Sequence, residues 1–135
     1  MLSSKNGLTL IEMMIVFIAI GILAAIAVPN FQSRATRGKE AAVKVNAHAV
    51  QQVVEDWAIC NNGAYPGPDD ISSGLFPGGV FPENPFTSAA CTIAALGFSQ
   101  GNIGYMMTPG TYVVEGYGES TMVISLTNDK SSRVD

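Results

Sequence analysis

Between Leu8 and Val28 the chain runs for 21 residues, LTLIEMMIVFIAIGILAAIAV, in which the only ionisable side chain is Glu12. As a helix rising about 1.5 Å per residue, this run spans roughly 31 Å, the thickness of a bilayer's hydrocarbon core. Any fold must therefore place the segment in lipid or cover it with comparable apolar surface. The remaining composition narrows the choice. Of 135 residues, 47% are hydrophobic and 13% charged, which does not suit a disordered chain. Seven Lys and Arg against eleven Asp and Glu leave a net charge of −4, the wrong sign for a dedicated nucleic-acid binder. A wholly cytosolic enzyme does not fit either.

An apolar run this close to the amino terminus must first be weighed as a targeting segment. MLSSKNG, with the single cation Lys5, precedes it. The stretch Ala24-Ala25-Ile26-Ala27 loosely offers a secretory cleavage site, so an ordinary signal peptide is one reading. Glu12 argues against it, because a carboxylate inside a signal's apolar region costs insertion energy without return. An ionisable residue within a membrane span is a functional candidate by default.

Gly7-Leu8-Thr9-Leu10-Ile11-Glu12 resembles the processing site of type IV prepilins. The resemblance implies cleavage between Gly7 and Leu8 by a dedicated prepilin peptidase, with methylation of the new amino terminus at Leu8. Gly21 and Pro29 also fall where type IVa pilins carry the same residues, as points of helix flexibility. Leu8 departs from the commonest residue there, Phe. The match covers about residues 1–35. It further implies a head on the far side of the inner membrane, then a surface filament of identical subunits built by inner-membrane assembly machinery. Membrane lipid is the partner before assembly.

Glu12 also has a physical reading of its own. An unpaired carboxylate in hydrocarbon protonates or finds a cation, and the run contains none. After cleavage the nearest cation is an α-amino group at Leu8, its own or a neighbouring subunit's. Pairing across subunits would neutralise both charges and fix the axial stagger of bundled helices, as one buried polar residue fixes coiled-coil register. A protonated Glu12 near the interface is the alternative.

Pro29 removes the hydrogen bond to the Ala25 carbonyl and predicts a kink rather than an end, because helical periodicity continues. Phe31, Ala35, Gly38, Ala42, Val45, Ala49, Val53 and Trp57 recur at spacings of three and four, widened by Val43, Ala47, Val50 and Val54. Asn61-Asn62-Gly63 ends the helix. We therefore expect an α+β pilin fold in four parts. Residues 1–7 are a leader and 8–28 a membrane or filament-core helix. Residues 29–60 continue it as an amphipathic helix, and 61–135 form a head. The head pattern predicts a meander of three antiparallel strands, near 102–107, 111–115 and 121–127, packed on residues 45–57. Residues 64–100 read as irregular.

Cys60 and Cys91 are the only cysteines and match no metal-site spacing. Linked, they would close a loop worth roughly 3–4 kcal/mol and imply an oxidising compartment. Two unlinked buried thiols is the other reading. The cations Arg34, Arg37, Lys39 and Lys44 follow the apolar run and outnumber Lys5 before it, which taken alone would place the head in the cytoplasm. The cysteines and the prepilin resemblance override that rule, and the four cations read as partners for acidic groups on adjacent subunits. His48, the only histidine, reads as a packing residue. No catalytic motif is present, and Asp69-Asp70 and Asn128-Asp129 read as exposed loop acids rather than a calcium site. No cofactor or metal is expected.

The functional expectation is a non-enzymatic type IV pilus subunit. A type II secretion pseudopilin is the alternative within that class. A membrane-anchored periplasmic binding module that never polymerises is the alternative outside it.

Overall fold

The computed structural model describes residues 7–97 and 99–128. Residues 1–6, with Lys5, and residues 129–135, with Asp129 and Asp135, lie outside the described residues, as does residue 98. One helix, α1, runs Leu10–Cys60. Three short 3₁₀ turns follow, Pro68–Asp70, Ser73–Leu75 and Pro77–Gly79, then strands β1 (Ile93–Ala94), β2 (Ile103–Thr108), β3 (Thr111–Tyr117) and β4 (Met122–Thr127). The chain divides into two units, Met1–Ala35 and Thr36–Asp135.

In the first unit α1 continues through Pro29. Proline cannot donate to the Ala25 carbonyl, and in the next register the Asn30 side-chain amide donates to the Ile26 carbonyl at 3.0 Å. Every described residue of this unit is exposed. Large apolar side chains such as Leu10, Ile15, Phe17 and Leu23 have no cover within the chain.

In the second unit α1 stops where its sequence says it should. Asn62 and Gly63 both take positive φ, 56° and 84°. The Gly63 N–H returns to the Ala58 carbonyl at 2.8 Å, closing a Schellman-type cap. The sheet has the order β1-β2-β3-β4. The three strands expected from the sequence are β2, β3 and β4, paired antiparallel, with Tyr105 opposite Val114 and Val114 opposite Leu126. The expectation of a purely antiparallel sheet needs correction, because β1 pairs parallel to β2 through Ile93 and Ile103. Two residues are too short to carry a period, so nothing in the pattern announced that strand.

The core joins Val43, Ala47, Val50 and Val54 of α1 to Ile103 and Tyr105 of β2 and Tyr112 and Val114 of β3, with Ile71 and Phe76 from the 3₁₀ segment. At Gly116 the sheet approaches the helix closely. A Cβ there would lie 2.8 Å from Ile124 and 2.9 Å from Val43, so only glycine fits. Between residues 64 and 100 the described chain carries only the three 3₁₀ turns and β1, close to the irregular segment expected, and it is anchored. Buried Asn84 donates to the Gln100 carbonyl and accepts from the Phe86 N–H, both at 2.9 Å. Asn46 on α1 donates to the Glu83 carbonyl at 2.8 Å.

The two apolar series on α1 fare differently in the structure. Val43, Ala47, Val50 and Val54 are all buried, whereas the longer series is split: Val53 is buried, Ala42, Ala49 and Trp57 are half-buried, and Phe31, Gly38 and Val45 are exposed. The head covers one side of α1, so only the residues turned towards it become core.

Candidate functional site

The site the sequence singles out is the start of α1. Thr9 is its N-cap and Glu12 its third helical residue. Glu12 Oε2 accepts the Thr9 N–H at 2.8 Å and the Thr9 hydroxyl at 2.7 Å. Thr9 Oγ1 in turn accepts the Glu12 N–H at 3.3 Å. This is a capping box, in which two otherwise unpaired N–H groups at the helix start are satisfied reciprocally. Glu12 thus has hydrogen-bond partners within the isolated chain, besides the α-amino group expected from the sequence. The signal was legible: Thr-x-x-Glu directly before an apolar run is the capping-box pattern.

Gly7 and Leu8 precede the helix and are exposed. Gly21 lies within α1, and a Cβ there would meet nothing within 4 Å. Packing inside the chain therefore does not demand glycine at that position. From Leu10 onward α1 is long and apolar enough to cross a membrane, and none of that apolar stretch is buried in the chain.

The disulfide expectation is overturned. Both thiols are free, Cys60 exposed and Cys91 buried. Cys91 Sγ lies 3.5 Å from the Asn46 side-chain amide and 3.4 Å from the Gly101 carbonyl. Asn46 and Cys60 are separated along α1 by about 21 Å of helical rise. Disulfide-linked Cα atoms lie within about 7 Å of each other, so the bridge cannot form in this fold. Burial pushes the Cys91 thiol up, against a smaller opposing effect of the Asn46 amide. The inference of an oxidising compartment from these cysteines falls with the bridge.

His48 is also corrected. It is exposed, with Nδ1 3.4 Å from Gln51 Oε1, because it points away from the side of α1 that the sheet covers. Asp70 is engaged in the 3₁₀ segment, where its Oδ2 accepts the Gly67 N–H at 2.9 Å. Among the described residues no group of His, Cys, Asp and Glu is placed to hold a metal ion.

An uncovered apolar helix that starts on a Thr–Glu cap, and whose later turns carry a small sheet, is a pilin-like α+β architecture. Comparison with known proteins agrees. Residues 2–28 match the prokaryotic N-terminal methylation motif. The chain is 54% identical over 46 residues to the type IV major pilin protein PilA of Myxococcus xanthus, covering 34% of this chain and 21% of that protein. It is 35% identical over 71 residues to a fimbrial protein of Neisseria meningitidis serogroup B, covering 53% and 41%. It is 37% identical over 62 residues to the type II secretion system core protein G of Pseudomonas aeruginosa, covering 46% and 43%. The matched stretches thus span less than half the length of these relatives. No solved structure matches the chain significantly. The resemblance read from Gly7 to Glu12 therefore holds: the chain carries the prepilin-type amino terminus and is similar to type IV pilins and to a type II secretion protein.

Proposed function

We propose that this chain is a structural subunit of a type IV pilus. Residues 1–7 are its leader and 8–28 hold it in the inner membrane, with 61–135 as a periplasmic head. Prepilin peptidase cuts after Gly7 and methylates Leu8. Inner-membrane machinery then moves the subunit into a homopolymer, an extracellular filament serving adhesion, motility or DNA uptake. It needs no cofactor and performs no catalysis.

The observation that carries this reading is the uncovered apolar length of α1 on a chain with the N-terminal methylation motif. A helix that apolar leaves lipid only for a comparable environment, and a core of identical helices provides one. The capping box fits processing. Cutting between Gly7 and Leu8 leaves the Thr9 N–H in place, so Glu12 keeps its partners until a neighbour's α-amino group reaches it. Gly21 and Pro29 allow the helix to bend within the bundle.

Similarity to the type II secretion protein favours a second reading, a pseudopilin that assembles beneath a secretion channel. The Glu12→Ala variant tests the shared basis. We expect normal membrane insertion and a folded head, with no polymer recovered. Normal polymer from Glu12→Ala would contradict the charge-register mechanism. Where the native polymer is found separates the two readings: filaments sheared from cells mean a pilus, and polymer confined to the envelope means a pseudopilus.

A further inference from the structure

Charge is spread unevenly where α1 leaves its apolar run. Between Glu12 and Glu40 the chain has no acidic residue, while Arg34, Arg37 and Lys39 follow Val28 closely. Arg34 and Arg37 lie three residues apart on α1, the spacing of neighbours on one helical face, and both are exposed. Among the described residues neither has a hydrogen bond or an ion pair. The nearby charges are engaged elsewhere. Lys39 sits over the Phe86 ring, 5.3 Å from its centroid. Glu40 is half-buried and turned to the head, since a Cβ at Gly118 would lie 2.9 Å from its Oε1. Like charges placed as Arg34 and Arg37 are destabilise a helix, and an anion between them relieves the repulsion. Position along the helix says which anion. Arg34 stands about 9 Å and Arg37 about 14 Å of helical rise past Val28. The headgroup layer of a bilayer starts where the hydrocarbon ends and is about 5–8 Å deep on each side. Side chains on a helix lean toward its N-terminus, here back toward the apolar run, and arginine is long enough to carry its guanidinium into that layer. Phe31, exposed one turn before Arg34, supplies apolar surface at the boundary.

We propose that Arg34 and Arg37 bind the headgroup phosphate of an anionic phospholipid, phosphatidylglycerol in kind, in the leaflet from which α1 emerges. The proposal rests on the reading of residues 8–28 as a membrane span, and on nothing about the filament. A guanidinium presents paired N–H donors that match phosphate oxygens bidentately, which suits a pair of arginines to this layer better than a pair of lysines. Zwitterionic headgroups carry the same phosphate but set an ammonium beside it, so the anionic lipid is preferred. The assignment holds for either leaflet, because it depends on the distance from the hydrocarbon and not on the side. Lys44, about 24 Å of helical rise past Val28, stands beyond the reach of the headgroups. The contact is lost when α1 leaves the bilayer, which frees both cations.

Spin-labelled lipids test this in the full-length chain. The protein is reconstituted at low salt in phosphatidylcholine vesicles containing trace lipid labelled on an acyl chain. The motionally restricted fraction of labelled phosphatidylglycerol is then compared with that of labelled phosphatidylcholine. The native chain should favour phosphatidylglycerol about threefold or more, the effect of a well-placed cation averaged over the surrounding lipid. Arg34→Gln combined with Arg37→Gln should bring the preference to about one, and Arg34→Lys combined with Arg37→Lys should keep most of it. Lys44→Gln should leave it unchanged. An undiminished preference in the glutamine variant, equal loss in the lysine variant, or loss in Lys44→Gln would overturn the proposal. Inorganic phosphate at about 10 mM, against chloride of equal ionic strength, separates lipid from soluble phosphate. The preference should survive it, and its abolition would overturn the lipid assignment. Equal restriction of the two lipids by the native chain would overturn this proposal alone. A native chain that restricts neither lipid has not entered the bilayer, which would overturn the membrane reading with it.

Discussion

At the start of α1, Thr9 and Glu12 satisfy each other. In the isolated chain the carboxylate is held by the Thr9 N–H and hydroxyl at 2.8 and 2.7 Å. The sequence made Glu12 conspicuous, but the expectation looked for an opposite charge and passed over the hydrogen-bond donors three residues away. The cysteines teach the converse. Their number and spacing suggested a bridge, yet which residues face each other depends on where β1 docks, and a two-residue strand leaves no pattern to read. Their environments predict unequal reactivity. Under native conditions a thiol reagent should modify Cys60 rapidly and leave Cys91 unmodified, since Cys91 is 3% exposed and its thiol is pushed up by burial. Denaturation without reductant should then expose a second free thiol. A chain with no reactive thiol after denaturation would mean the bridge exists after all.

At the scale of elements, the sequence specified most of what the structure contains. The end of α1 at Asn61-Asn62-Gly63 was legible because a left-handed turn has a distinctive composition. Strands β2, β3 and β4 were legible because turn residues separate β-branched and aromatic runs. Which apolar face of α1 becomes core was not, since Val45 and Val43 look equally apolar in one dimension. Only the sheet decides, and at Gly116 it lies close against α1. Two glycines therefore make opposite predictions. Gly116→Ala forces a Cβ to within 3 Å of Ile124 and Val43 and should destabilise the head by about 1–3 kcal/mol. Gly38→Ala, on an open helical face, should stabilise it by about 0.5–1 kcal/mol. Thermal unfolding of the two variants in detergent measures both, and a stabilising Gly116→Ala would refute the close approach.

For the molecule as a whole, the head is held together by tyrosines that bridge its layers. Tyr105 donates to the Pro66 carbonyl at 2.7 Å, and Tyr112 donates to Glu55 while accepting from the Gln51 amide. Tyr65 packs edge-on to Tyr112 at 4.8 Å. Burial, with smaller additions from Tyr65 and Asp70, pushes Tyr105 up to about 12, and burial with the Glu55 contact raises Tyr112 as well. An unfolded tyrosine ionises near 10, so above that pH the unfolded chain gives up protons that the folded head retains. Head stability should therefore be insensitive to these groups below about pH 10 and fall as pH rises beyond it. Melting curves across that range check the sign. The central claim concerns the other part of the chain, a processed apolar helix destined for a filament. Mass spectrometry of protein sheared from the cell surface tests it most directly. The account predicts an abundant peptide beginning at N-methylated Leu8, and surface protein still carrying Met1 to Gly7, or none at all, would contradict it.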